Sequence, residues 1–368
     1  MIPKINNLAY VVSAVALAGV VFLSPRAAMA VKAQRSCASS AYTYDSSCTS
    51  SGNTSGSSVT SSSTVAAAAL QTANLVMGRL TSFRASVSGK KARLNDSTGT
   101  VGLFGFGTGK AAGDSAERLG LWVNGSYNRA VGGISGADFD TETWSVMVGG
   151  DFRVTDNFLV GLGLGYEEMD GDTGFNRGTI DSEGMTVSPY ASVSINDNIS
   201  VDMMLGYTRV DYELTRVQNE PGTLADTTGI TAGHGGNRAF GGLNVNGDFE
   251  LNNLTAGISI GTRYVAERQS GYIDSYGTYN RSSTITVGTA NAGLRLGYRI
   301  KMVHPYMSAN YGYDYNDAGG TYNGREAYSG AVGLNINMGN FTVNVEGKAG
   351  YKDHVKNAGG LLRLRLQF

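Results

Sequence analysis

From Leu119 to Phe368, large apolar side chains alternate with small or polar ones, segment after segment. A period of two places successive side chains on opposite faces of a β-strand. "LGLWVNGSY" sets Leu119, Leu121, Val123 and Tyr127 against Trp122, Asn124 and Ser126. "FLVGLGLGY" sets Phe158, Val160, Leu162, Leu164 and Tyr166 opposite three glycines. "ISVDMMLGY" continues with Ile199, Val201, Met203, Leu205 and Tyr207. Similar stretches at 145–152 and 185–195 and about 237–251, 253–266, 284–299, 303–315, 327–338, 341–351 and 359–368 bring the expected total to twelve strands.

The connections constrain the fold more tightly still. "VTDN", "NDN", "NN", "IK" and "GN" are tight, and between them come long polar stretches such as "MDGDTGFNRGTIDSEG" and "ELTRVQNEPGTLADTTGITAGHGG". Short and long alternate until the last hairpin, where "KDHVKNA" is of moderate length. A soluble sandwich has no reason to sort its loops by parity, whereas a barrel in the outer membrane has short periplasmic turns and longer outside loops. Strands of about nine to eleven residues also suffice to cross a bilayer when tilted. The expected fold is therefore an all-β transmembrane protein, a 12-stranded antiparallel up-and-down outer-membrane β-barrel. An even strand number puts both barrel ends on the side of the short turns.

Parity then assigns the faces. If the apolar set meets lipid, Asp151, Asp202, Arg238, Asp248, Arg263, Arg295, Glu346, Lys348, Arg363 and Arg365 face the lumen. An Arg or Lys on the lipid face at mid-bilayer costs roughly 2–4 kcal/mol, and the strand centres hold few charges on that parity. The lumen thus carries both signs, suited either to hydrate a channel or to pair across the wall. Tyr127, Tyr166, Tyr207, Tyr264, Tyr298, Tyr311, Tyr313 and Tyr351 lie on the lipid parity near strand ends, where an interfacial aromatic girdle belongs. Overall there are 29 Lys and Arg against 30 Asp and Glu, which gives no electrostatic case for nucleic acid.

The N-terminal third reads differently. Lys4, the apolar run Leu8 to Leu23 and small residues at Ala28 and Ala30 have the form of a secretory signal peptide over 1–30. Cys37 and Cys48 follow it; in an oxidising compartment they either close a small loop or remain free thiols. In Ser39 to Thr64, 17 of 26 residues are Ser or Thr, so a short exported segment over 31–63 has little to bury. The alanine-rich stretch 64–86 reads as a helix from about Val65 to Ser86, whose roughly 21 residues span about 31 Å, with Gln71, Asn74, Arg79 and Arg84 making it too polar for lipid. A helix of membrane length that cannot face lipid fits a polar pore, and a Gly, Ser, Lys and Thr linker, 87–117, joins it to the barrel, 118–368.

In this order the parts resemble the autotransporters of type V secretion: signal peptide, exported segment, pore-spanning helix, C-terminal twelve-stranded barrel. The phrases "AAGD" ahead of "LWVNGSY", "VGGDFRVTDNFLVGLGLGYE", "SPYASVSI" with "NDNISVDMMLGY", "HPYMSANYGYDY" and the terminal "LRLRLQF" carry the resemblance over about residues 64 to 368. It implies that the alternation Leu362, Leu364, Leu366 and Phe368 is the signal read by the barrel-assembly machinery. It implies, too, export through the general secretion machinery, outer-membrane lipid as the surroundings, and display of the N-terminal segment and long loops at the cell surface. The passenger available, about Val31 to Ser63, is far shorter than is usual in the family. Asn74 is a lone candidate for cleavage within the helix, without the paired asparagines of self-cleaving members.

No catalytic, cofactor or metal motif emerges. His234 is expected in a long loop, His304 beside a short turn on the wrong side for outside chemistry, and His354 in the last outside loop; a catalytic role for His234 or His354 needs a nearby Ser and acid, and no recognisable motif surrounds either. "DGDTG" at Asp170 to Gly174 lacks the ligand series and closing Glu of a calcium loop and reads as a solvated loop. The expectation is a non-enzymatic, monomeric translocator barrel; the alternative is a passive pore or adhesion barrel without secretion activity.

Overall fold

A computed structural model of the chain describes residues 118–133, 138–174, 177–218, 228–316 and 324–368. The signal segment with Ala28 and Ala30, Cys37 and Cys48, the Ser/Thr-rich stretch, Asn74 with the helix 64–86, and the linker 87–117 lie outside the described residues.

The strands are β1 (Leu119–Gly132), β2 (Phe139–Thr155), β3 (Phe158–Thr173), β4 (Gly178–Ser194), β5 (Ile199–Gln218), β6 (Thr228–Leu251) and β7 (Leu254–Gln269). A small hairpin follows, β8 (Tyr272–Ile273) and β9 (Tyr279–Asn280). Then come β10 (Ser283–Tyr298), β11 (Val303–Asn316), β12 (Glu326–Met338), β13 (Phe341–Lys352) and β14 (Val355–Gln367). Twelve of them close into an antiparallel barrel in the order β1-β14-β13-β12-β11-β10-β7-β6-β5-β4-β3-β2, with β8 and β9 pairing apart. The seam runs from Gly120↔Gln367 to Gly132↔Val355, and at its end the Phe368 N–H donates to the Leu119 carbonyl at 2.9 Å. Closure satisfies the edge that hydrocarbon would leave unpaired.

Outward positions are apolar and exposed: Leu121, Val123, Val146, Val148, Leu162, Leu164, Met203, Leu205, Ile258, Ile260, Leu294 and Val332 all show more than a third of their surface. Aromatics flank this band. Tyr127, Tyr166, Tyr207, Tyr264, Tyr311, Tyr313, Tyr328 and Tyr351 lie toward the long-loop side; Phe152, Phe158, Phe249, Tyr298, Phe341 and Phe368 lie toward the short turns. Rings with one apolar body and a polar tip settle where hydrocarbon meets headgroups.

Turn chemistry accounts for the tight ends. Asn252 (φ 56°) and Gly339 (φ 66°) take the left-handed conformation that a two-residue hairpin demands, which Gly and Asn tolerate best. In β4, Pro189 stands opposite Leu205 by register and has no N–H for the ladder. The Ser188 hydroxyl donates to the Leu205 carbonyl instead, at 2.6 Å.

The strands outrun the sequence expectation on the long-loop side. β5 continues to Gln218 and β6 begins at Thr228, so His234 lies in a strand opposite Tyr212 rather than in a loop. Asp170 and Asp172 sit in β3, not in a solvated loop. The last connection is not seven residues but the pair Asp353–His354 (φ 39° and 56°), between the paired Lys352 and Val355. Beyond the girdle the outward face turns polar while Met169, Ile180, Val210, Tyr212 and Ile285 keep an apolar cluster on the inward one, so backbone pairing persists where the lipid-facing pattern stops.

Candidate functional site

The inward face of the barrel is where polar residues concentrate. Tight burial falls on Asp151, Asp202, Arg238 and Arg365, with Asn124, Ser126, Glu167, Ser188, Ser192, Thr208, Glu267 and Asn344 on the same face. Asp248, Arg263, Arg295, Glu346, Lys348 and Arg363 occupy inward positions and are half-buried. Leu362, Leu364 and Leu366 take the opposite parity on β14, and Phe368 stands half-exposed at its end.

Two networks tie the β14–β1–β7 side of the wall together. Arg238, 1% exposed, donates from Nη1 to Glu167 at 2.5 Å and from Nε to Glu267 at 2.8 Å. The Tyr212 hydroxyl adds a bond to Glu267 at 2.6 Å, and Gln269 Nε2 donates to the same carboxylate at 3.2 Å. A buried guanidinium is tolerable only with paired charge and satisfied donors, which two carboxylates supply here. The second network sits at the closing seam. Arg365 Nη2 donates to Asp151 at 3.2 Å although β1 lies between their strands. They meet over Gly120: a Cβ there would lie 2.6 Å from Asp151 Oδ1 and 3.0 Å from Arg365 Nη2. Trp122 Nε1 donates to the Tyr190 hydroxyl at 2.6 Å, and that hydroxyl lies 3.4 Å from Asp151 Oδ2.

Tyr306 organises the opposite wall. Its hydroxyl donates to Glu346 at 2.7 Å and accepts from Asn344 Nδ2 at 2.9 Å, while the Arg295 guanidinium lies 3.5 Å from its ring centroid. Arg363 Nη1 donates to Asn344 Oδ1 at 3.1 Å, and Lys352 pairs with Asp314. Asp202 accepts from Ser192 at 2.7 Å and from Asn246 at 3.1 Å.

At the long-loop mouth the β8–β9 hairpin folds against β6. Ser275 N–H donates to the Thr231 carbonyl and Thr231 N–H to the Ser275 hydroxyl, both at 2.9 Å. Arg216 reaches Asp274 at 2.8 Å. Burial works to raise the Asp274 carboxyl, but the Thr278 N–H, Arg216 and the Tyr276 N–H outweigh it and hold the group below its ordinary value. His234 is stacked between Tyr272, centroids 4.8 Å apart, and Tyr212, 4.9 Å apart, and burial lowers its imidazole.

On the outside of the same end, strand register lines up carboxylates. Glu142, Asp170, Asp181 and Glu213 are direct cross-strand partners in one row over β2 to β5. Glu168, Glu183 and Asp211 form a second row nearer the girdle. Burial raises the Asp181 carboxyl, and Asp170 and Glu213 raise it further.

Sequence parity alone points to Glu167, which shares the glycine face of β3. It misses Glu267, because the strand that carries it continues past the last apolar residue. Pairings such as Arg238 with Glu167, 71 residues apart, leave no trace in local sequence.

A family model described as "Autotransporter beta-domain" matches residues 121–359. The chain is 25% identical over 243 residues to the putative uncharacterized protein YaiT of Escherichia coli (strain K12), and equally to the uncharacterized protein YaiT of Salmonella typhimurium. Each alignment covers 61% of this chain and spans 23% of the length of the curated relative. Among solved structures, the translocator domain of the autotransporter NalP from Neisseria meningitidis superposes with a TM-score of 0.60 at 13% identity, covering 69% of this chain and 90% of that one. The β domain of the Bordetella autotransporter Brka gives 0.58 at 20% identity, covering 68% of this chain and all of that one, 100%.

Proposed function

Because the chain belongs to the autotransporter β-domain family, we propose that this outer-membrane barrel exports the segment that precedes it and displays that segment at the cell surface. One observation carries the reading: a closed wall with an apolar exterior encloses an interior lined by hydrogen-bonded charge. Such an interior accepts a polar chain without the cost of burying unpaired polar groups in lipid. The polar helix 64–86 is the segment suited to occupy the lumen, and the Ser/Thr-rich residues 31–63 are the displayed part.

The barrel-assembly machinery is the proposed partner, reading Leu362, Leu364, Leu366 and Phe368; general secretion delivers the chain to it. The working unit is a monomer in outer-membrane lipid, with no nucleic acid, cofactor or metal. Transport involves no bond-making step. Its histidines support that reading: His234 is wedged between rings, His304 Nε2 bonds the Thr255 hydroxyl at 2.9 Å, and His354 forms a turn.

An epitope inserted after residue 40, followed by protease shaving of intact cells, tests display. Loss of the tag from cells whose barrel stays heat-modifiable is the expected result. A tag protected inside while the barrel is folded overturns the reading and leaves a passive pore or adhesion barrel.

A further inference from the structure

Acidic rows crowd the outer surface over β2 to β5, but the strands beside them are built differently. Among the described residues, β6, β7 and β10 place no Asp or Glu at an outward position. One row there carries cations instead. Arg209 on β5 pairs in register with Asn237 on β6, and Asn237 pairs with Arg268 on β7. All three side chains are exposed. Two strand spacings set the arginine Cα atoms about 10 Å apart. Arg209 closes part of that gap: its Nη2 lies 3.6 Å from where a Cβ of Gly235 would stand, so the guanidinium leans over β6 toward β7.

The row lies just past the aromatic girdle. Arg209 follows Tyr207 by two residues and Arg268 follows Tyr264 by four, each on the same face as its tyrosine. At about 3.3 Å per residue on strands tilted by about 40°, that is roughly 5–10 Å beyond the rings. Lipid headgroups occupy that depth, since the rings themselves mark the edge of the hydrocarbon. The donors of the row are available to them. Arg268 has neither a hydrogen bond nor an ion pair among the described residues. Asn237 Oδ1 accepts from the Tyr207 hydroxyl at 2.6 Å, which leaves Nδ2 to donate outward. Arg209 has Asp211 at 3.9 Å, but both side chains are mostly exposed, and such a pair binds weakly. Below the row, Ala239 stands beside Tyr207 and pairs with Ala266, so short side chains open the girdle down to the exposed Leu243.

We propose that Arg209, Asn237 and Arg268 seat the phosphate headgroup of an anionic lipid of the outer leaflet, whose acyl chain runs past Ala239 and Ala266. Guanidinium forks hold phosphate oxygens through paired, charge-assisted bonds. The apolar wall below holds the tail, which a free anion lacks. The seat needs only the barrel in its membrane, and stands or falls independently of surface display.

The test is native mass spectrometry of the full chain, folded in detergent micelles doped with equal amounts of dioleoyl phosphatidic acid and dioleoyl phosphatidylcholine. Selective retention of phosphatidic acid is expected. Arg209→Gln combined with Arg268→Gln lowers it about tenfold or more, the loss that goes with one charge-assisted hydrogen bond. Asp211→Asn raises it, because the competing carboxylate is gone. Arg129→Gln leaves it unchanged, as that guanidinium, on the outer side of β1, is already bonded to Asp140 at 2.9 Å. Heat-modifiable mobility establishes that each variant is folded; if the double variant is not, Arg268→Gln alone takes its place and lowers retention in the same sense. No selective retention by the unmodified chain overturns the proposal, as does equal retention in the folded double variant or an equal loss in Arg129→Gln. Displacement of the lipid by equimolar inorganic phosphate overturns it too, since the site then takes the free anion.

Discussion

The Tyr190 ring lies directly on Gly161: a Cβ built on that glycine would come within 2.2 Å of Tyr190 Cζ and 2.4 Å of its hydroxyl. The contact leaves Tyr190 placed to accept from Trp122 at 2.6 Å, and Trp122 lies against Gly149 in the same way, 2.3 Å from its ideal Cβ. Aromatic rings over glycines thus fill the inward side of β1 to β4 where strands of larger residues would collide.

Gly161→Ala is expected to destabilise the barrel by about 1–3 kcal/mol, the usual cost of forcing extra volume into a packed site. Urea unfolding of the folded barrel followed by tryptophan fluorescence reads this. Because Trp122 bonds Tyr190, its emission should also shift in the folded variant; unchanged emission and unchanged midpoint would sink the packing argument.

Across the seam, Asp151→Ala and Arg365→Ala are each expected to cost about 3–5 kcal/mol, because either leaves a buried charge without its partner. The double variant should be less damaged than the sum. A double-mutant cycle with no coupling energy would show that the 3.2 Å contact over Gly120 does not hold β2 to β14.

Stability of the long-loop end should fall as pH rises through the raised pKa of Asp181. Burial first, then Asp170 and Glu213, favour its protonated form in the folded state. The folded protein therefore binds the proton more tightly than the unfolded chain, whose carboxyl titrates near the ordinary 3.8. The contribution is fully present below that value and is lost as pH climbs through the folded one. Asp181→Asn should flatten the profile and added salt should weaken it; thermal unfolding across acid to neutral pH checks both.

Leu162 lies midway along the lipid face of β3, between Phe158 and Tyr166, and is 49% exposed. Leu162→Arg is expected to cost about 2–4 kcal/mol in lipid vesicles. In detergent, where the apolar layer is thinner and more yielding, the penalty should shrink. Equal stability of the two proteins in vesicles would count against that face meeting hydrocarbon.

Within the lipid band the fold was readable from the chain, because hydrocarbon enforces period two there. Val160 to Tyr166 alternate cleanly with glycine, and "NN" at 252–253 and "GN" at 339–340 mark their turns by residue type. Past the girdle the constraint lapses. Asp140, Thr141 and Glu142 are polar on both faces of β2, yet they still pair with Asp172, Gly171 and Asp170 in turn. The Asp353–His354 turn carries no glycine or asparagine, so its left-handed pair was invisible. Site residues were legible as a face and not as partners. Parity separates Arg365 from Leu364, but only closure brings Arg365 to Asp151.

That final turn has a kinetic consequence. β12, β13 and β14 are joined by two-residue links, Gly339–Asn340 and Asp353–His354, so this meander closes with little loss of loop entropy. The β1–β14 pairing joins Gly120 to Gln367 and spans nearly the whole barrel, making it the slowest contact to find. The C-terminal meander is therefore the template on which the wall grows. Until β1 arrives, β14 presents an open edge, a strand waiting for its neighbour while the rest of the cylinder is laid down.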